Sequence, residues 1–345
     1  MKLALACIPA QASQALVLDL TNLDLDPFTL QFVCQRLKAS PPPPQAQVFI
    51  HWVDGSGRHA QWQLEPQSPA PSLADDPGLT PAHDAAGGLW LQKYPQGRLW
   101  ASFDPSGPLS VGRWRFEGDL PPNLPRGSLS LQTLEFFGQD DELVGVLDVA
   151  ALARYNPQLV DELQTEFARW GLDFKQDLLS LLAGEVGFSL ARRPEQLAEV
   201  KEMPLQVVAL LSDPSGAERL AARLLPAVVS TSLPTYYREG VAIRQSLDQE
   251  FAFALVSDVV LFGINLGADG LGQAISARIA ETSLADQPAS KALRQALSPA
   301  DGCLLAVVEK VGPVRVYAAG GPGRGHLEGP LVLEWIAPPS QRDAR

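Results

Sequence analysis

Leu205–Leu211 reads LQVVALL and runs into Ser212-Asp213-Pro214. A short apolar run closed by turn formers predicts a strand covered on both faces. Ser215 stands three residues before Glu218, the capping-box spacing that marks a helix start. Leu220, Leu224, Leu225 and Val228 then recur at helical intervals and give that helix an inner face. Tyr236–Leu247 reads as extended. Phe251–Val256 and Val259–Ile264 flank Ser257-Asp258 as a tight hairpin. Asp269 is placed to cap a second helix, with Leu271, Ala274, Ile275 and Ile279 facing inward. A strand at Cys303–Glu309 closes the series. This order predicts an α+β domain with a ferredoxin-like (split βαβ) antiparallel sheet and helices on one face.

Upstream, Leu143–Val149 reads as a strand. Asn156 caps a helix that opens on Pro157, where a missing N–H costs nothing. Leu159, Leu163, Phe167 and Trp170 form its stripe, and Gly171 ends it. A second helix over Asp173–Ala183, a strand over Glu185–Ala191 and a charged connector, Glu195–Met203, lead into the central stretch. Downstream, Pro288–Leu297 reads as helix, Val314–Ala319 and Leu331–Ile336 as strands, Gly320–Gly325 as a loop, and 338–345 as a frayed tail. The polar break Gly138–Glu142 sets a boundary, so residues 139–337 form one α+β domain.

The run Gly171-Leu172-Asp173, Asp177-Leu178-Leu179 and Leu182–Phe188 resembles a feature of a bacterial family, common in cyanobacteria, known as domain of unknown function 3352. The strand before Ser212-Asp213-Pro214, the helix Ala217–Leu225 and the pair Val259–Ile279 follow in that family's order. The resemblance spans roughly 143–310, judged by motif order. Members of that family often carry an N-terminal anchor or signal that is not expected here, so their envelope location is not carried over, and the resemblance brings no catalytic residues. The apolar run before Cys7 is shorter than a working signal's ~7–15 residues. Lys2–Ile8 is accordingly expected to be a first strand, and the protein to be cytoplasmic.

Residues 1–138 read as β-rich. Ala15–Leu20 is an apolar run, Phe28–Leu37 is a strand or a short helix, and Pro41–Pro44 is a polyproline spacer. Val48–Val53 and His59–Leu64 form a hairpin across Asp54–Arg58. Leu89–Lys93 and Arg98–Phe103 form another. Leu109–Phe116 and Ser128–Phe137 complete the strands. Glu65–Gly88 is rich in Pro, Ala, Ser and Asp without periodicity, which predicts a mobile loop. A sandwich or barrel-like sheet follows.

The 345 residues carry a net charge of −12 and are 46% hydrophobic. Such acidity argues against nucleic acid and anionic membranes, which need clustered cations. Cys7, Cys34 and Cys303 are few and far apart, as suits reduced core thiols. Gly263–Gly272 joins strand to helix without the dinucleotide glycine spacing or a P-loop lysine, and Gly320–Gly325 leads into no helix. No cofactor is expected.

Asp24 and Asp26 share a face if extended, yet they lack the further oxygens a hard cation needs. His51, His59, His83 and His326 show no zinc spacing, and His51 with His59 would make only two ligands; no metal is expected. Ser212 and Ser215 lie outside any nucleophile elbow, with His326 the one histidine downstream. Glu185 sits in an apolar strand and is expected to face solvent, since unpaired acids are seldom buried.

Five of the seven tryptophans, Trp52, Trp62, Trp90, Trp100 and Trp114, fall on these hairpins. They are either the core of a small β domain or one aromatic partner surface. The surface reading, with no catalytic motif beside it, makes the chain a non-catalytic binding or assembly protein with protein partners or self-association. A lipid-related envelope carrier and a hydrolase with a dispersed site are the alternatives.

Overall fold

The computed structural model describes residues 1–336 apart from 24, 26, 42, 44, 65–70, 107, 170, 191–203, 220–232 and 299–301. Asp24, Asp26, Trp170, the charged connector, most of the helix after Pro214 and the frayed tail therefore lie outside the described residues. The chain mixes helix and strand and divides into two compact units. One takes residues 1–122, 311–318 and 323–336. The other takes 123–310 and 319–322.

In the first unit, β1 (Gln14–Asp19), β2 (Val48–Asp54), β3 (Gly57–Gln61), β4 (Gly88–Tyr94), β5 (Gly97–Ser106) and β6 (Leu109–Gly118) join in the order β6-β5-β4-β1-β2-β3. Each pair is antiparallel. Both predicted hairpins are present. The expected second sheet of a sandwich is replaced by short helical segments on either face. On one face Ala15, Val17, Ile50, Trp52, Leu89, Leu91 and Trp100 meet Leu5, Ile8, Leu73 and Leu79. On the other, Leu18, Phe49, Ala101 and Phe103 meet Leu23 and Cys34, with Leu30, Val33 and Leu37 packed alongside. These covers are α1 (Lys2–Leu5), the 3-10 turns Leu73–Asp75 and Pro77–Ala82, α2 (Leu20–Leu23) and α3 (Pro27–Leu37).

Two expectations fall here. Lys2–Ile8 is not a strand. Its start coils so that Ala4, Leu5, Cys7 and Ile8 all reach the core. Residues 71–88 are not a bare loop either. Ser72 and Asp75 form a reciprocal capping box, and Leu73, Leu79 and Ala82 are buried. Brief proteolysis is expected to spare 72–82, and a first cut inside Pro77–Ala82 would contradict that packing.

The second unit holds β7 (Leu143–Asp148), α4 (Val149–Tyr155), α5 (Pro157–Ala168), β8 (Leu182–Leu190), β9 (Leu205–Leu211), β10 (Thr235–Arg238), β11 (Val241–Gln245), β12 (Phe251–Val256), β13 (Val259–Ile264) and β14 (Leu305–Val311). The order is β10-β11-β12-β13-β9-β8-β7-β14, antiparallel throughout. This is not the split βαβ arrangement. There, the strand after the second helix returns beside β9. Here β8 already occupies that side, and β14 pairs with β7 instead.

Local signals held unevenly. Asn156 Oδ1 accepts from the Leu159 amide at 3.1 Å, as a cap should, but Val160 is the buried position on α5 and Leu159 is exposed. Asp213, not Ser215, caps the segment 214–219, accepting from Ser215 Oγ at 2.7 Å and the Gly216 amide at 3.0 Å. Gln245 Oε1, not Asp269, accepts from the Ala268 amide at the start of the helix Gly267–Ile279.

The predicted strand Ser128–Phe137 does not form: residues 128–131 carry no regular structure, and Gln132–Phe136 is a 3-10 turn. Two carboxylates hold the segment. Asp148 and Glu185 face each other across β7 and β8, and both are buried. Glu185, expected in solvent, is only 4% exposed. It accepts from the amides of Ser130, Leu131 and Thr133, each at 2.8 Å, and from both hydroxyls at 2.8–2.9 Å. Asp148 accepts from the Ser128 amide at 2.9 Å and caps α4 through Ala151 at 2.8 Å.

The last strands, β15 (Val314–Pro322) and β16 (His326–Trp335), change the expected boundary. β16 pairs with β6 from His326↔Glu117 to Glu334↔Leu109. Most of this segment therefore belongs with the first unit, which ends near residue 122 rather than 138. No helix among the described residues is long and apolar enough to cross a membrane.

Candidate functional site

A cleft of about 660 Å³ opens in the first unit where β1 leaves the sheet and β2 enters it. Ala4, Val17, Val48 and Trp62 supply its apolar lining, and Leu3 and Leu64 stand exposed at the cleft. Gln45, Gln47, Gln63, Thr21, Lys2, Asp19 and His83 add polar groups. The strand period explains the floor. Val17 and Val48 are the inward positions of β1 and β2 at the end where those strands part. Trp62 follows β3 and stacks on Phe49, with centroids 4.4 Å apart and planes 19° apart. Asp19 is committed locally, accepting from the amides of Thr21 and Asn22 at 3.0 and 3.1 Å. Amide side chains offer donors and an acceptor together, so the polar part suits a ligand that carries both.

The β2–β3 hairpin gathers a serine, a histidine and an aspartate. Ser56 Oγ donates to Asp54 Oδ1 at 2.6 Å, and His59 Nε2 lies 3.0 Å from Ser56 Oγ and 3.2 Å from Asp54 Oδ1. A catalytic relay needs the two ring nitrogens to face opposite partners. Here one nitrogen meets both, so the group is a turn clasp. Hydrogen bonds from Ser56, first its hydroxyl and then its amide, hold the Asp54 carboxyl down at about 2. Ser212 is likewise structural, donating to the carbonyls of Ser180 and Leu181 at 3.1 and 3.0 Å.

The register separates the residues that the sequence grouped. Trp52 lies opposite His59, and Ile50 opposite Gln61, so Trp52 and Trp62 fall on different faces. Trp52, Ala15, Leu91, Trp100 and Arg115 form one cross-strand row. Leu16, Trp90, Ala101 and Trp114 form the next row, on the other face. Trp52 and Trp100 are buried, at 4% and 3% exposure, and Trp62, Trp90 and Trp114 are half-buried. The five rings therefore make no common surface, and Trp62 alone among them lines the cleft. A physical signal for the split was present: β2 is apolar at consecutive positions, so both of its faces are covered.

His51 and His59 are likewise on opposite faces, because His51 pairs with Ala60. His326 lies 3.1 Å from Glu328 Oε1. No cluster of three metal-ligating side chains occurs among the described residues. Gly320 and Gly321 continue β15 and form no loop. Gly267 opens the helix after β13 at a φ of 61°. The cleft itself was missed, since α1 and residues 71–85 carried no helical period to announce it.

No family model matches the chain, and no curated protein matches it. Among solved structures it is similar to TP0453 in crystal form III, over 59% of this chain and 92% of that one, at 11% identity and a TM-score of 0.35. Crystal form I gives 62% and 95%, 9% identity and 0.34. A likeness this loose carries neither a fold nor a function across to this chain.

Proposed function

We propose that this chain is a non-catalytic binding or assembly protein whose cleft takes an extended, mainly apolar segment of a protein partner. The build of the cleft carries the reading: an apolar floor with side-chain amides beside it. Its volume lies within the ~300–1,000 Å³ of ligand sites. Gln45, Gln47 and Gln63 present the donor and acceptor pairing that a peptide backbone requires. The net charge of −12 speaks against nucleic acid as the partner. In this reading the protein works in the cytoplasm, self-association is one form the assembly takes, and residues 143–310 are a relative of domain of unknown function 3352.

Selection of a displayed random-peptide library on the immobilised chain tests this. Enriched sequences are expected to be apolar and to lose about tenfold or more affinity on Trp62→Ala, as for removal of an aromatic anchor. The variant's urea midpoint is measured alongside, because Trp62 also packs on Phe49. No enrichment, or enrichment indifferent to Trp62→Ala in a folded variant, refutes the reading. Exposed Leu3 and Leu64 favour a second occupant, an acyl chain. Displacement of a fluorescent fatty acid, with no peptide enriched, would move the assignment there.

A further inference from the structure

His51 sits in β2, two residues from the Phe49 on which the cleft's Trp62 stacks, and is 2% exposed. Both ring nitrogens are shut off from water, and the polar group that meets the ring is the backbone at Leu37. Its neighbours across the sheet, Leu16 and Ala60, are uncharged. Arg58 and His59, on β3, oppose a charge on its ring, and the backbone at Leu37, the end of α3, favours one weakly. Elsewhere on α3, Arg36 lies over the Phe32 ring at 5.4 Å and the Cys34 thiol is buried. Among the described residues no carboxylate acts on this imidazole. A charge created here has no counterion and little water.

The Phe49 ring centroid is 6.3 Å from that of His51, and Phe49 stacks on Trp62. Leu30, Val33 and Leu37 of α3 pack in the same cluster as Phe49. We propose that His51 is an acid-sensitive latch: protonating its ring loosens α3 from the sheet, releases Phe49 and unseats Trp62 from the cleft. The coupling to ligand rests on the cleft being the binding site. Burial, with the charge of Arg58 next, holds the His51 ring below its ordinary value of 6.5. The sign follows. The unfolded chain takes up a proton below about 6.5 while the folded chain resists, so stability falls as pH drops from there toward the folded value.

Hydrogen exchange of α3, corrected for intrinsic rate, is compared at about pH 7.5 and about pH 5, the range in which an imidazole switch works. Protection of α3 is expected to drop about tenfold or more in the parent. His51→Phe and His51→Gln should hold it constant. A fluorescein-labelled peptide from the selection should lose affinity in the same step for the parent, and for His83→Gln, which changes the imidazole lining the cleft. Protection that ignores pH in the parent overturns the latch, as does an acid loss kept by both His51 variants. Exchange that responds as expected, with no peptide bound at either pH, leaves the latch on α3 standing and refutes the cleft's assigned occupant.

Discussion

Glu185→Ala is expected to destabilise the second unit by about 3–5 kcal/mol, read as a lowered urea midpoint at unchanged slope. Five donors converge on this carboxylate: three backbone amides and the hydroxyls of Ser130 and Thr133. A buried donor left without an acceptor costs about 1–3 kcal/mol. The sum is reduced because water enters the vacated space and because the carboxylate's own burial cost disappears. Glu185→Gln should recover only part of the loss, since its amide nitrogen would face donors and not acceptors. Asp148→Ala removes fewer bonds and should cost less. A Glu185→Ala midpoint within about 0.5 kcal/mol of the parent would mean that residues 128–133 are held by something other than this acid.

Trp52→Ala and Trp100→Ala should each cost about 3–5 kcal/mol, the range for emptying a buried aromatic site. Both rings are sealed beneath α1 and the turns Leu73–Asp75 and Pro77–Ala82, in one cluster with Leu89 and Leu91. Arg115 adds a cation above Trp100, its guanidinium 5.8 Å from the ring centroid. Trp62→Ala should cost less, because its ring is half-buried. Near-parent urea midpoints for both core variants would show that this face of the sheet is open.

Pairing was more legible in the sequence than covering. The hairpins at 48–61 and 251–264 announced themselves through alternation around short polar turns, and both formed. At the second, Ser257 takes a φ of 55° to close a two-residue turn. Alternation cannot say what lies on a face, however. The continuous apolar stretch of β2 demanded two covers; α3 was left open between strand and helix, and the other segments that supply them are too short for a helical period to show. Glu185 was misjudged for a related reason. Its donors sit about 55 residues away in a segment whose own apolar pattern imitates a strand. The ferredoxin-like order failed because local order leaves open which neighbour β9 takes. The cleft is made by the ends of elements, which no periodicity describes.

β16 has a consequence for the order of synthesis. Trp335 Nε1 donates to Ser110 Oγ at 3.2 Å, across 225 positions of sequence. At ~5–20 residues per second, the ribosome needs roughly 10–45 s to make that interval. Through that time β6 waits with an open hydrogen-bonding edge, while the segment that completes the second unit's sheet, β14, emerges first. The inserted unit is thus free to close before the one whose residues begin the chain. A nascent chain halted shortly before residue 326 should carry an unpaired β6 edge, the kind of edge that chaperones cover and that neighbouring chains on a polysome extend.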